Sequence, residues 1–300
     1  MENKVSIIIP TYGRSDLLTR AIDSVLTQTH QDIEIVVVDD NHSDSESRLQ
    51  TENMLKRYLG DSRVIYYKRD KNGGGAAARN SGIEQATGEY ITFLDDDDYY
   101  HPEKIEKQLA FLRKGGFDVC LCDMDILKGS VISKENYYKA ACDDIENFVL
   151  SGVAFTPMIF MTRSVAVSIG GFFDTPRFQD HIFIYKILKN KFSVGVLHER
   201  LAVHNDHEEL RITSGSKGYK GYKNKMLFER EFMPQLSKKG QIRLKMIHAC
   251  VESKITTDKE NHFLGVMQSL SNSRLIRGSE TFIIFGKNLV RNVFFKGRHF

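Results

Sequence analysis

An α/β fold with a mostly parallel sheet, followed by a helical C-terminal extension, is predicted by three features of the 300-residue sequence. β-branched runs alternate with helical patterning through roughly the first 125 residues, the signature of strand–helix–strand units. Polar and acidic clusters stand directly after those runs, and the carboxyl ends of the strands are where sheets of this kind bind ligands. After about Gly215 strand-like runs give way to helical patterning.

The elements follow in order. Val5-Ser6-Ile7-Ile8-Ile9 is β-branched and stops at Pro10, as a buried strand does. Ser15 is placed to cap a helix whose stripe is Leu17, Leu18, Ala21, Ile22, Val25 and Leu26. Glu34 to Val38 is a second strand ending in Asp39-Asp40, and Glu46 to Tyr58 a helix. Val64 to Tyr67 is a third strand, followed by the glycine loop at 72–75 and a small-residue helix from Ala76 to Ala86. Tyr90 to Leu94 is a fourth strand, ending in Asp95-Asp96-Asp97-Asp98. Pro102 suits the first turn of a helix reaching about Arg113, and Val119 to Cys122 is a fifth strand. Farther on, Phe155 to Met161 and Val194 to Leu197 read as strands and Asp180 to Lys189 as a helix. These readings divide the chain into a catalytic region over 1–210 and a helical, basic region over 211–300.

Composition sets the bounds. Hydrophobic residues at 41% and charged residues at 27% are an ordinary globular balance, which argues against disorder. The net charge of +3 hides an asymmetry: residues 211–300 carry 18 Lys/Arg against 6 Asp/Glu, and residues 1–210 carry 24 against 33. An acidic front fits cation-assisted chemistry, and a basic rear fits an anionic surface or a solvated helical face. Cys120, Cys122, Cys142 and Cys250 form no paired zinc knuckles, and no disulfide framework is implied, so reduced thiols in a cytoplasmic setting are expected. The apolar stretch Val5 to Pro10 is too short for a signal-peptide core, and no run approaches the ~18 apolar residues of a membrane span. The expectation is a protein that is soluble or peripheral, at most at the inner face of a membrane. No nucleic-acid partner is expected.

Four adjacent carboxylates at 95–98 repel one another unless they are solvated or hold a cation. Hard divalent ions take oxygen ligands and bridge one or two carboxylates to phosphates. The plainer reading is a solvated acidic turn, and the spacing does not suit an EF-hand. At the neighbouring strand ends, Asp40 is placed to accept a nucleobase N–H and Tyr12, after Thr11, to stack on the base; turn chemistry is the alternative for Asp40. Arg79 lies early in the helix after the glycines, where an anion is favoured, or is a surface arginine.

Five segments together resemble the family 2 glycosyltransferases. They are Val-Ser-Ile-Ile-Ile-Pro-Thr-Tyr-Gly-Arg (5–14), Ala-Ile-Asp-Ser-Val-Leu-Thr-Gln-Thr (21–29), Val-Val-Val-Asp-Asp-Asn (36–41), Ala-Arg-Asn-Ser-Gly (78–82) and Gly-Glu-Tyr-Ile-Thr-Phe-Leu-Asp-Asp-Asp-Asp (88–98). The resemblance covers residues 1–125 strongly and 126–210 loosely, and implies the GT-A fold. By position it implies that Pro10, Thr11, Tyr12, Arg14 and Asp40 bind the nucleotide, with Arg79 on the nucleotide or phosphate side. It implies that Asp95 and Asp96 lie on the ribose side of a D-x-D element and that Asp97 binds Mn2+ or Mg2+. Asp96 stands where the family often has Ser, so which carboxylate takes the metal is open, and Asp98 is implied to cap the next helix. The catalytic base of the family is the Asp of a Glu-Asp pair; Phe178-Gln179-Asp180-His181 has that layout with Gln in place of Glu, so Asp180 is the implied base. A helix N-terminal acid is the other reading of Asp180. His207 resembles a late family histidine near the diphosphate or metal, with His204 as competitor.

The implied reaction is a direct displacement that inverts the anomeric centre of a UDP-sugar, performed by a hexosyl- or N-acetylhexosaminyltransferase on a saccharide or lipid-linked acceptor. Bacterial cell-surface polysaccharide assembly is the family-level setting. The rival from another class is a non-catalytic nucleotide-sugar-binding module. A nucleotidyltransferase would need a glycine-rich loop after the first strand, where the chain has Thr11-Tyr12-Gly13-Arg14, and a dinucleotide oxidoreductase a G-x-G-x-x-G that is missing. The tail from Thr281 to Phe300 is aromatic and basic with no acidic residue; it suits an anionic membrane surface, a helix packed on the catalytic region, or an oligomer contact.

Overall fold

The computed structural model describes residues 3–142, 144–206 and 216–294. The chain forms two compact units: Met1–Asp143, Gly152–Asp174 and Gln179–Glu209 make the first, and Asp144–Ser151, Thr175–Phe178 and Leu210–Phe300 the second. In chain order the elements are β1 (Val5–Thr11), α1 (Ser15–Leu26), β2 (Ile33–Asp39), α2 (Glu46–Leu55), β3 (Val64–Lys68), α3 (Gly74–Gln85), β4 (Tyr90–Phe93), β5 (Tyr99–Tyr100), α4 (Lys104–Gly115), β6 (Val119–Lys128) and β7 (Val131–Tyr138). They continue with α5 (Ile145–Ser151) of the second unit, then β8 (Ile159–Thr162), α6 (Arg163–Ser168), α7 (Gln179–Lys189) and β9 (Val194–Asn205).

The first unit is built on one nine-stranded sheet of order β3-β2-β1-β4-β8-β6-β9-β5, with β7 paired to β6. The half β3-β2-β1-β4 is parallel. Beyond it β8 runs antiparallel to both β4 and β6, while β6 and β9 are parallel. The central strands are the most apolar: Ile7, Ile8 and Ile9 and Ile35 to Val38 are wholly buried, as strands covered on both faces must be. Helix α3 packs on β1 and β2. Its approach is close at Gly82, where an added Cβ would lie 2.3 Å from Ile8 Cγ2. That contact fixes the helix carrying Arg79 against the strand that ends in Thr11.

Several local expectations change. Ser15 is the first residue of α1, not its cap; Arg14 occupies the cap position without a side-chain cap bond, its guanidinium being drawn to the aspartates discussed below. Ser45 is the capping serine, accepting from Arg48 N at 3.2 Å at the start of α2. The glycine loop is partly helix, since α3 starts at Gly74. A 3-10 turn, Thr156–Met158, occupies the first part of the segment read as a strand from Phe155.

The second unit is helical: α5 is joined by α8 (Ser216–Phe232), α9 (Lys238–Ile255), α10 (His262–Ser271) and α11 (Ser279–Phe294). Helices α9, α10 and α11 pack together around a buried polar seam. Asn288 accepts from Ser253 Oγ at 3.1 Å and Ser269 Oγ at 3.0 Å and donates to Cys250 O at 2.9 Å. A buried polar group is tolerated only when so satisfied. No helix among the described residues is long and apolar enough to cross a membrane.

Candidate active site

Strand β1 ends in Thr11 and β2 in Asp39, and the quartet follows β4 after Leu94. Because these strands are parallel neighbours, their carboxyl ends form one rim. The four aspartates leave the rim in different directions. Asp95 receives the Arg79 guanidinium and accepts from Thr156 Oγ1 at 3.2 Å. Asp96 folds back on β1, accepting from Thr11 Oγ1 at 2.9 Å, Tyr12 N at 3.4 Å and Arg14 Nη1 at 3.4 Å. Asp97 pairs with Arg14, and its carbonyl accepts from Arg20 Nη2 at 2.6 Å. Asp98 is buried; it accepts from Asn205 N at 2.9 Å and lies 3.1 Å from His204 Nδ1.

Asp98 therefore ties the quartet to β9 and caps no helix, because α4 starts only at Lys104, with Glu103 before it and no side-chain cap bond. His204 is held on its other faces by the Phe155 ring, 6.2 Å away and nearly parallel, and by the edge of Tyr138. His207 lies outside the described residues.

Burial and neighbouring charge both act on these groups. Burial pushes the Asp96 carboxyl up to about 7; the charge of Asp97 adds to this, and Arg14 opposes it. Burial likewise raises Asp98, opposed by the hydrogen bond and charge of His204. Burial works against a protonated His204, but its bond to Asp98 and the acidic neighbours outweigh that and raise it. The rim thus sets the four aspartates against Arg14, Arg79 and the His204 imidazole.

Arg79 links the quartet to Gln179, the residue before the expected base. Its Nη1 donates to Gln179 Oε1 at 2.9 Å, and its guanidinium lies 5.5 Å from the Phe172 ring centroid. Its Nε is buried with no hydrogen-bond partner among the described residues. Asp180 follows Gln179 in the first turn of α7, partly buried, with His181 N at 2.8 Å and His181 Nδ1 at 3.0 Å from the same oxygen. Burial would raise its carboxyl, but the charge and bonds of His181, with Arg79 farther off, outweigh this and hold it below the usual carboxylate range.

The remaining candidates divide. Tyr12 is 47% exposed at the rim, an aromatic face open for stacking. Pro10 pairs with Val38 inside the sheet and shapes the end of β1. Asp40 faces the loop after β3: it accepts from Gly73 N at 3.0 Å, Gly74 N at 2.8 Å and Asn72 Nδ2 at 3.0 Å, and pairs with Arg69 at 3.2 Å. Gly74, at φ 79°, turns its N–H toward that carboxylate. Burial raises the Asp40 carboxyl, against the glycine N–H groups and Arg69. Sequence reasoning missed Thr156, Arg20 and Arg69. Each comes from a segment with no motif of its own, and no signal in the chain marks it.

Among the described residues no group of three or more His, Cys, Asp or Glu side chains is arranged as a metal site. The donor chemistry at 95–97 nevertheless fits a hard cation, because the side chains offer carboxylate oxygens on three successive residues.

Known proteins share this architecture and these segments. The sequence profile of glycosyl transferase family 2 matches residues 6–169. The putative colanic acid biosynthesis glycosyl transferase WcaA of Escherichia coli is 30% identical over 259 residues, covering 79% of this chain and 85% of that protein. An uncharacterized glycosyltransferase of Rickettsia felis is 38% identical over 166 residues, 55% of this chain, but the chain spans only 25% of its length. The putative teichuronic acid biosynthesis glycosyltransferase TuaG of Bacillus subtilis is 38% identical over 109 residues, covering 36% of this chain and 41% of that protein. Among solved structures, S. aureus TarS 1-349 in complex with UDP-GlcNAc matches 96% of this chain and 89% of its own with a TM-score of 0.68 at 17% identity. The mannosyltransferase PcManGT of Pyrobaculum calidifontis, in complex with GDP-Man and Mn2+, matches with a TM-score of 0.57 at 14% identity, covering 97% of this chain and 81% of its own. With its profile match spanning more than half its length and a relative aligned over most of both chains, the protein belongs to glycosyl transferase family 2 and has the GT-A fold.

Proposed function

We propose that the protein is an inverting glycosyltransferase that moves a hexosyl or N-acetylhexosaminyl group from a UDP-sugar to an acceptor hydroxyl. The observation that carries this reading is the convergence at one rim of Tyr12, the crowded aspartates 95–97, Arg79 with its unmet Nε, and Asp180. Tyr12 stacks on the uracil, and Thr11, Asp96 and Arg14 take the ribose side. Arg79 meets the diphosphate with its unmet donor. Asp97, beside Asp95 and Asp96, is the residue to hold Mn2+ or Mg2+, whose contribution when bound is to neutralise charge on the departing diphosphate. The acceptor oxygen bonds to the anomeric carbon as the bond from that carbon to the diphosphate oxygen breaks. The electron pair leaves with UDP, and the acceptor proton passes to Asp180, which its neighbours keep ionised.

Relatives named for teichuronic and colanic acid biosynthesis support a bacterial surface polysaccharide as the product class and a saccharide or lipid-linked acceptor. The complexes of the structural neighbours with UDP-GlcNAc and with GDP-Man and Mn2+ support a nucleotide-sugar donor and a divalent ion. The division into a catalytic region over 1–210 and a basic helical region over 211–300 goes with this reading, the second serving to bring the enzyme to its acceptor. The test is Asp180→Asn. Transfer to acceptor should fall by about 10²–10⁴-fold, the usual weight of a general base, with UDP-sugar affinity retained. Undiminished transfer would remove Asp180 from the mechanism, and a wild-type protein that binds UDP-sugar but never releases UDP would favour the binding-module alternative.

A further inference from the structure

The second unit holds an open cavity of about 410 Å³ between α9 and the start of α11, lined by Lys239, Ile242 and Arg243, by Arg277, and by the turn at 278–281. Three of its side chains are cations and one, Glu280, is an anion. Glu280 pairs with Lys239 at 2.9 Å and, more loosely, with Arg243 at 3.7 Å. Arg243 Nε is buried and has no hydrogen-bond partner. Arg277 Nη1 donates to the carbonyls of Arg274 and Ile276, at 2.8 Å each, and no carboxylate among the described residues pairs with it. The first-turn N–H groups of the 16-residue α11 open on the same turn and add their partial positive charge. The cavity is therefore a cationic recess with room for a phosphate.

Its surroundings are apolar. Phe282 and Ile283 follow the turn directly and are 60% and 53% exposed. Along α11, Ile283, Lys287 and Val290 repeat at helical spacing on the solvent side, with Arg291 and Val293 beside them, while Thr281, Asn288 and Asn292 face inward. No acidic residue follows Glu280 in the remainder of the chain. Large exposed apolar side chains interleaved with cations suit the boundary between headgroups and acyl chains, where the rings and aliphatic chains sink and the cations meet phosphate. A second copy of the chain would bring like charges together on this face, and a nucleic acid would leave Phe282 and Ile283 without a partner.

We propose that the recess formed by Lys239, Arg243, Arg277 and the start of α11, flanked by Phe282 and Ile283, docks the protein on a bilayer of anionic phospholipid, one lipid phosphate occupying the recess. The inference deepens the proposed transferase by naming the surface at which it works, and rests on that reading only for this consequence. The experiment is flotation of the full chain with vesicles of phosphatidylglycerol and phosphatidylcholine, compared with phosphatidylcholine alone, alongside Arg243→Gln/Arg277→Gln and Phe282→Ser/Ile283→Ser. Binding is expected only to the anionic vesicles, to weaken in high salt, and to fall about fivefold for each cation removed, with a comparable loss for the apolar pair. Circular dichroism checks that the variants stay folded. Absence of flotation, equal flotation with phosphatidylcholine alone, or unaltered binding by both variants overturns the proposal. Self-association seen by light scattering and lost in the same variants, without vesicle binding, overturns it in favour of a second copy. UDP release from a UDP-sugar, measured without vesicles, should be the same in all three proteins; its absence even in the unaltered chain counts against the transferase reading and not against docking.

Discussion

Two acidic clusters stand at neighbouring strand ends, Asp39-Asp40 after β2 and Asp95 to Asp98 after β4, and the fold uses them in opposite ways. Asp39 takes Asn41 N at 2.9 Å, Tyr66 Oη at 2.6 Å and Arg48, and Asp40 takes the 72–74 loop. Backbone amides and short side chains do most of this work. They cannot withdraw without opening a loop. Asp95 and Asp97 lean instead on the guanidinium groups of Arg79 and Arg14, and Asp96 on Thr11 with Arg14 farther off. We propose that carboxylates held mainly by loop groups support the scaffold, and that carboxylates paired with arginine are the ones a ligand reaches.

The sharpest way to break that distinction is Asp40→Ala. It leaves two glycine N–H groups, Asn72 and Arg69 without their acceptor, and should cost about 3–5 kcal/mol of stability, read as a lowered denaturant midpoint. An unchanged midpoint would move Asp40 from scaffold to ligand site. A third buried carboxylate, Glu34, extends the scaffold side. Burial alone would raise it, but Lys4 at 2.5 Å, Ser6 and Thr87 outweigh this and hold it near 2 against an ordinary 4.5. Because the folded value is the lower one, its contribution is complete above pH 4.5 and is lost as pH falls toward 2. Unfolding at stepped pH should show a Glu34→Gln deficit on the order of 2–3 kcal/mol near neutrality that closes across that window. Smaller again, Gly82→Ala should cost about 1–3 kcal/mol by pushing α3 off Ile8, with a matching loss of UDP-sugar affinity if Arg79 is displaced with its helix.

The same contrast explains what could be read from the chain. The parallel strands were legible because β1, β2 and β4 are apolar on both faces. β6 and β9 run well past the stretches read as strands, since β6 continues through Asp123 and Asp125. Both are buried yet paired, Asp123 with His198 at 3.3 Å and Asp125 with Arg200 at 3.1 Å. Paired charges inside a sheet look like a loop in a linear sequence. β7 was invisible for the opposite reason: it is mostly exposed, so no apolar alternation marks it. At the site, residue types and rim position could be foreseen. The parting of the four aspartates could not, because it depends on Thr156, His204 and Arg14 arriving from distant segments. The tie between Arg79 and Gln179 likewise joins residues 100 positions apart.

We propose that the crowded aspartates, and Asp97 above all, hold a divalent ion against the diphosphate of the donor. Calorimetric titration of UDP into the unaltered protein and Asp97→Ala, each with and without Mn2+, tests it most directly. Mn2+ should strengthen binding to the unaltered protein, and Asp97→Ala should weaken the metal-supported affinity by at least about tenfold (~1.4 kcal/mol), with the unfolding midpoint preserved. Equal affinity of the two proteins in the presence of Mn2+ would contradict it.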